Sequence, residues 1–353
     1  MKIGFWCRED ELLNNFVFLN NGLDASYNRI ENHWLNFYLY LKKKNHQIIS
    51  IDQVKNIDSL DCVVFLDFPA GRITKLAKKA LSHRKKILIA FENEVVVKNN
   101  WLKKNHDLFD IILTWDDDFI DNKKYFKLIY PSFSQHKQLY NFLPFEDKKY
   151  LSCMISWKKI YNNPNETQSI KNNIIDYFEN NHFLDHFHLY GPNWNEKVFT
   201  YSSFFKFLNY PRFKLLRKFL LRYKLTTWKG ISEDKQKTIS NYKFLFIIEN
   251  GTHYNGYLTD KIFECFYSGT VPIYLGALNI KSYIPEECYI DFRKFKNISD
   301  LHNYLLNIDH KTYKKYISNI SNFLKNNNDS IFTFEYFNET LLNSIKSLVK
   351  NKF

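Results

Sequence analysis

Residues 242–276 read YKFLFIIENGTHYNGYLTDKIFECFYSGTVPIYLG, and the succession of residue types in this stretch decides the fold. Lys243 to Ile248 is a short apolar run, the pattern of a strand buried on both faces. A polar, glycine-containing loop follows from Glu249 to Tyr257. Thr259 reads as an N-cap, with Asp260 in the first turn of a helix through about Ser268, where Gly269 ends it. Val271 to Leu275 is a second buried strand. Strand, loop, helix, strand is the βαβ unit of a parallel sheet, in which ligands sit beyond the carboxyl ends of the strands. Glu249, Asn250, Tyr257, Asp260 and Lys261 all fall on the loop and helix start. A helix start with a lysine suits a phosphate-bearing ligand, and an ordinary βαβ unit with a solvated loop fits the same pattern.

On either side the same alternation continues. Strands are expected over Lys2–Trp6, Ile48–Ile51, Cys62–Phe68, Lys86–Phe91 and Ile111–Trp115. Arg29 to Lys43 has helical periodicity, with Trp34, Phe37, Tyr38 and Leu41 on one face, and Arg72 to Arg84 is a basic helix. A second series begins with a strand at Tyr150–Ser156, a helix at Ile170–Asn180, a strand at His186–Tyr190 and a turn at Gly191, Pro192, Asn193 and Trp194. Phe199 to Tyr223 is aromatic and basic, with Arg212, Arg217 and Arg222, and its core reads as helix. Leu301–Leu306 and Tyr313–Leu324 are helical, and Phe332–Val349 is a long terminal helix before a basic tail. The alternation predicts two doubly wound α/β domains, over residues 1–140 and 141–330, followed by a terminal segment, 331–353.

At 353 residues and 45% apolar content the chain can build two cores of ordinary size. The net charge of +13 points to an anionic partner, namely a nucleotide, a phosphorylated lipid carrier or an anionic membrane surface. No nucleic-acid motif accompanies it. Five scattered cysteines without a CxxC pair indicate buried free thiols in a reducing compartment, with neither a zinc site nor a disulfide framework. The opening MKIGFWC reads as a first strand, without a signal peptide or long apolar segment.

The ordered block Tyr242–Lys–Phe, Glu249–Asn250, Tyr257–Leu–Thr–Asp–Lys261 and Val271–Pro–Ile–Tyr–Leu–Gly276 resembles the donor-site signature of glycosyltransferase family ten, the α-1,3/1,4-fucosyltransferases. The likeness extends through Tyr283–Ile–Pro285 and Ile290–Asp–Phe–Arg–Lys–Phe295, and upstream to Lys229, Gly230 and Lys235. It implies a GT-B fold of two Rossmann-like domains facing a cleft, with a C-terminal helix crossing back. It implies inverting transfer of fucose from GDP-fucose, or of a related GDP-activated sugar, to a hydroxyl of a surface-glycan or glycolipid acceptor. In the family the lysine matched by Lys261 contacts the nucleotide phosphates, and Asn250 and Tyr257 match positions that help bind the nucleotide sugar. Glu249 orients the loop or contacts the donor. Asp260 departs from the glutamate usual before that lysine, and Pro192 and Asn193 stand near where relatives carry Gly-Arg-Gly. Arg217 and Arg222 are alternatives for the missing arginine. Both departures bear on which GDP-sugar is used. Golgi-type members carry an N-terminal anchor, so the chain resembles a bacterial-type member, expected in the cytoplasm or at the inner face of the membrane.

Inverting transfer needs a general base, donors for the departing diphosphate and oxygens that tolerate a cationic sugar. Glu92 ends the apolar run Ile87–Phe91 and so sits at a strand's carboxyl end. Glu92–Asn93–Glu94 before Leu108–Phe109–Asp110 resembles the family's ENE-like segment, whose first glutamate is the base; Glu94 is the alternative. Asp116–Asp117–Asp118 contains a DxD pattern that elsewhere holds a metal, and reads more simply as a solvated acidic turn. The eleven histidines show no metal-ligand spacing, so no metal or other cofactor is expected. The remaining alternatives are a transferase of the same fold using another nucleotide sugar, and a non-catalytic basic protein that binds glycan or lipid.

Overall fold

The computed structural model describes the chain apart from residues 8–13, 20–32, 70–72, 133–142, 157–162, 193, 195–224, 328–329 and 351–353. Arg29, Arg212, Arg217, Arg222 and Asn193 therefore lie outside the described residues, as does the expected helix from Phe199 to Tyr223. The chain divides into two compact units. The first comprises Met1–His136, Tyr254–Asp260 and Asn327–Phe353; the second comprises Lys137–His253 and Lys261–Asn326.

The first unit is built on six parallel strands: β1 (Lys2–Cys7), β2 (Gln47–Ser50), β3 (Cys62–Leu66), β4 (Lys86–Ala90), β5 (Ile111–Thr114) and β6 (Tyr125–Lys127). Their spatial order is β2-β1-β3-β4-β5-β6, with Ile3 beside Ile48 and Cys62, and Leu66 beside Ile89. Parallel strands covered on both faces must be apolar where they are buried, and β3 throughout and β4 after Lys86 are. The helix His33–Lys43 buries Trp34, Phe37 and Leu41. The basic segment after residue 72 is helical only over Lys75–Leu81, because Thr74 caps it by accepting from the Ala77 amide. The last helix, Phe334–Lys350, belongs to this unit, as expected of a terminal helix that crosses back. Phe337, Leu341 and Ile345 form its fully buried stripe at i, i+4, i+8, and Phe337 meets Trp34 edge-on at 5.6 Å.

The second unit has five parallel strands: β7 (Lys149–Met154), β8 (Phe187–Tyr190), β9 (Tyr242–Ile248), β10 (Val271–Leu275) and β11 (Ile290–Asp291). Their order is β11-β10-β9-β7-β8, with Phe244 between Leu151 and Val271. Its core gathers Leu151, Phe178, Phe187, Phe246 and Ile273. At the amino ends of the strands the buried Lys148 ammonium donates to the carbonyls of Ser240 (2.6 Å) and Gly269 (3.0 Å), tying down two helix ends. Burial holds Lys148 down at about 8. Gly269 takes φ +61, the left-handed turn that ends the signature helix.

Both strand orders reverse direction once. The reversals lie between β1 and β3 in the first unit and between β7 and β9 in the second. The carboxyl ends at such switch points are where doubly wound sheets leave a crevice for ligands. All five cysteines are buried free thiols. No helix among the described residues is long and apolar enough to cross a membrane.

Candidate functional site

The signature folds as β9, loop, helix Lys261–Tyr267 and β10. The helix starts one residue later than expected, so Asp260 is a turn residue and Lys261 the first helical one. Residues 254–260, just before it, group with the first unit. Glu249 and Asn250 follow directly on β9 at the switch point. The Glu249 amide donates to the Leu275 carbonyl (2.9 Å), and its own carbonyl accepts from the Thr167 hydroxyl (2.7 Å). Thr167 thus links the connections after β7 and β9, a role that sequence spacing does not reveal.

The Glu249 carboxylate is wholly buried and receives Lys261 Nζ at 2.7 Å, the lysine remaining 32% exposed. The pair sets a cation at the carboxyl end of β9 with one side toward solvent. Gly276 fits against it, since a Cβ there would lie 2.7 Å from Glu249 Cγ and 2.3 Å from the Tyr274 hydroxyl. The Tyr274 hydroxyl accepts from the Ala277 amide (3.0 Å). Burial, and then the Glu249 charge, push the Tyr274 phenol well above its usual range. Arg293 binds both oxygens of Asp291 (2.9 Å each) and reaches the Ala277 carbonyl (3.2 Å). This fixed arginine stands inside the quoted segment 290–295, yet reading along the chain gave it no role. Asn250 is half-buried, with no side-chain partner among the described residues.

Tyr257 and Asp260 group instead with the first unit. Tyr257 is 3% exposed, its ring 4.5 Å from Trp115. Gly256 holds φ +80 and lies so close to the Trp115 carbonyl that a Cβ would stand 2.3 Å from that oxygen. The acidic triplet forms the other side of this contact. Asp116 caps its short helix by accepting from the Asp118 amide (3.0 Å). Asp117 pairs with Lys127 (2.6 Å), and Asp118 accepts from the Asn255 side chain (3.0 Å). The expected solvated turn is corrected at Asp116, which is 6% exposed and whose carboxyl burial raises to about 6, while Asp118 is exposed as expected. The triplet fastens the loop 254–257.

Glu92 is half-buried just past β4, and Glu94 is half-buried two residues on, so the sequence-predicted base and its alternative both sit at the carboxyl end of the first sheet. Asn93 between them is fully buried, its side-chain oxygen accepting from the Val95 and Val96 amides. Among the described residues no group of three or more His, Cys, Asp or Glu is arranged to hold a metal ion.

Residues 196–334 match the model for glycosyltransferase family 10 (fucosyltransferase), C-terminal domain. An α-(1,4)-fucosyltransferase of Arabidopsis thaliana is 40% identical over 80 residues, covering 22% of this chain and 20% of that enzyme. The mouse 4-galactosyl-N-acetylglucosaminide 3-α-L-fucosyltransferase 9 is 39% identical over 83 residues, 23% of each chain. The matched stretch thus spans about a fifth of these curated relatives. Among solved structures, an α1,3-fucosyltransferase superposes with TM-score 0.58 at 18% identity, over 100% of this chain and 91% of the other. An α-glucosyltransferase bound to UDP-glucose and DNA superposes with TM-score 0.54 at 10% identity, over 98% and 99%. The fold is that of the GT-B glycosyltransferases. The likeness to glycosyltransferase family 10 thus rests on residues 196–334 and on the short stretch shared with these fucosyltransferases.

Proposed function

We propose that the chain transfers fucose from GDP-fucose, with inversion, to a hydroxyl of a glycan acceptor. The observation that carries this reading is the coincidence of the family domain with the Glu249–Lys261 pair at the switch point of the second sheet. In the proposed step the acceptor oxygen attacks the anomeric carbon as the bond to the diphosphate breaks. Glu92 takes the hydroxyl proton, and GDP leaves beside Lys261. Asn250 contributes to donor binding from the second unit, and Tyr257 and Asp260 complete the signature loop.

No metal is assigned a part. The reading is supported by the engagement of all three carboxylates of the DxD segment in capping, an ion pair and a loop contact. Turnover that survives EDTA is the expected result, and turnover abolished by EDTA and restored by manganese would reverse it. The acceptor is proposed to be a surface polysaccharide or lipooligosaccharide precursor, reached in the cytoplasm at the inner face of an anionic membrane, for which the +13 charge is the support.

A second reading keeps the fold and changes the sugar nucleotide, because Asp260 stands one methylene short of the glutamate usual in the family. Parallel titrations with GDP and UDP separate the two. GDP should raise the melting temperature at millimolar concentration, and a shift with UDP alone overturns the guanine assignment. Transfer from GDP-fucose to a 4-galactosyl-N-acetylglucosaminide, the acceptor named for the mouse relative, tests the activity.

A further inference from the structure

The backbone that carries Glu92 is held by side chains from three other segments of the first unit. Asp67 follows directly on β3, at the switch point of the first sheet, and adopts φ +59. That left-handed conformation is unfavourable for a non-glycine residue and persists only where the surroundings impose it. Asp67 is 5% exposed, and one oxygen of its carboxylate collects three donors: the amides of Phe91 (2.9 Å) and Glu92 (3.0 Å) and the Asn100 side-chain nitrogen (2.6 Å). A buried carboxylate is tolerable only when so satisfied. From the other side, the Glu92 carbonyl accepts from Asn100 Nδ2 and Trp101 Nε1, each at 3.0 Å. Asn100 closes the ring by accepting from the Phe68 amide at 2.7 Å, and the Phe91 carbonyl accepts from Trp115 Nε1 at 2.7 Å.

We infer that Asp67 is a positioning residue for sugar transfer, fixing the backbone that presents Glu92. The inference rests on Glu92 being the base. Both polar groups of the Glu92 peptide are immobilised, so only the glutamate's own torsions remain to set the carboxylate. Asn100 and Trp101 serve the same end from the carbonyl side. A base displaced by about 1 Å loses on the order of 10²-fold in rate, so this clamp acts on turnover and leaves donor binding alone.

The test is steady-state transfer from GDP-fucose to a 4-galactosyl-N-acetylglucosaminide by the full chain, with Asp67→Ala, Asp67→Asn and Trp101→Phe made in native and Glu92→Gln backgrounds. Asp67→Ala should lower kcat roughly 10²-fold with the donor KM within about threefold. Asp67→Asn should recover part of the loss, because an amide oxygen can still accept from the Phe91 and Glu92 amides. In the Glu92→Gln background Asp67→Ala should cost less than about threefold more, since a residue acting through Glu92 has nothing left to position. A loss that multiplies with that of Glu92→Gln, or one matched by a rise in donor KM, makes Asp67 merely structural and overturns the inference. Native turnover in Asp67→Ala overturns it too. Should Asp67→Ala fail to fold, Trp101→Phe keeps the ring and removes one donor; about a tenfold fall in kcat, absent in the Glu92→Gln background, supports the inference, and no fall refutes it. If Glu92→Gln itself transfers at the native rate, the base assignment fails and the positioning role falls with it.

Discussion

Replacing Lys261 by methionine removes the cation that faces a wholly buried carboxylate. At 2.7 Å and an effective dielectric constant near 20, Coulomb's law gives the Glu249–Lys261 pair roughly 6 kcal/mol of attraction. Desolvation of Glu249 consumes much of it, and breaking such a pair from one side costs about 3–5 kcal/mol because the remaining charge cannot reach water. For a unit of this size that is a fall in melting temperature of roughly 10 °C. Glu249→Gln should cost far less, because Lys261 is 32% exposed and can be hydrated. The double variant, with no buried charge left, should recover at least about 2 kcal/mol of the loss predicted by adding the single effects. Urea midpoints for the four proteins measure this coupling, and GDP titration of the same four separates stability from binding. Lys261→Met should weaken GDP at least about tenfold, and the double variant should regain stability without regaining affinity. Lys261→Met within about 0.5 kcal/mol of native, with effects that simply add, would refute the electrostatic reasoning. Restored GDP affinity in the double variant would remove Lys261 from the nucleotide.

Glu92→Gln should keep the fold and GDP affinity and lower turnover by roughly 10²–10⁴, whereas Glu94→Gln should cost much less; collapse in the second variant alone hands the role to Glu94. Asp116, raised to about 6 by burial, binds a proton in the folded state that the unfolded chain has already released. Its contribution to stability therefore falls as pH rises from about 4 to 6, by up to about 3 kcal/mol, and stays lost above that window. Asp116→Asn, which keeps the capping oxygen, should gain more stability at pH 7.5 than at pH 4.5, and equal gains at both would show the carboxyl is not so perturbed. Gly256→Ala should destabilise by at least about 1–3 kcal/mol, since φ +80 and a Cβ 2.3 Å from the Trp115 carbonyl cannot both be accommodated; an unchanged urea midpoint means the loop is not seated on Trp115.

The alternation of apolar runs with helical segments was enough to predict two parallel sheets, because a strand covered on both faces must be apolar at every position, and that constraint is local. β9 and β10 were legible for this reason, as was Gly269 as a helix stop. Site candidates in the signature were legible as an ordered string of residue types, and Glu92 as the polar residue ending an apolar run. What lay hidden was everything carried by side chains distant in sequence. Asp67 reaches Glu92 across 25 residues and Thr167 reaches Glu249 across 82, and no periodicity links such pairs. The acidic triplet looked solvated because three consecutive carboxylates usually are. Only packing could reveal that Asn255 meets Asp118, that Lys127 meets Asp117 and that Asp116 is buried. Local pattern fixes which residues form strands, whereas burial and charge pairing depend on which strands become neighbours, and only the assembled sheets decide that.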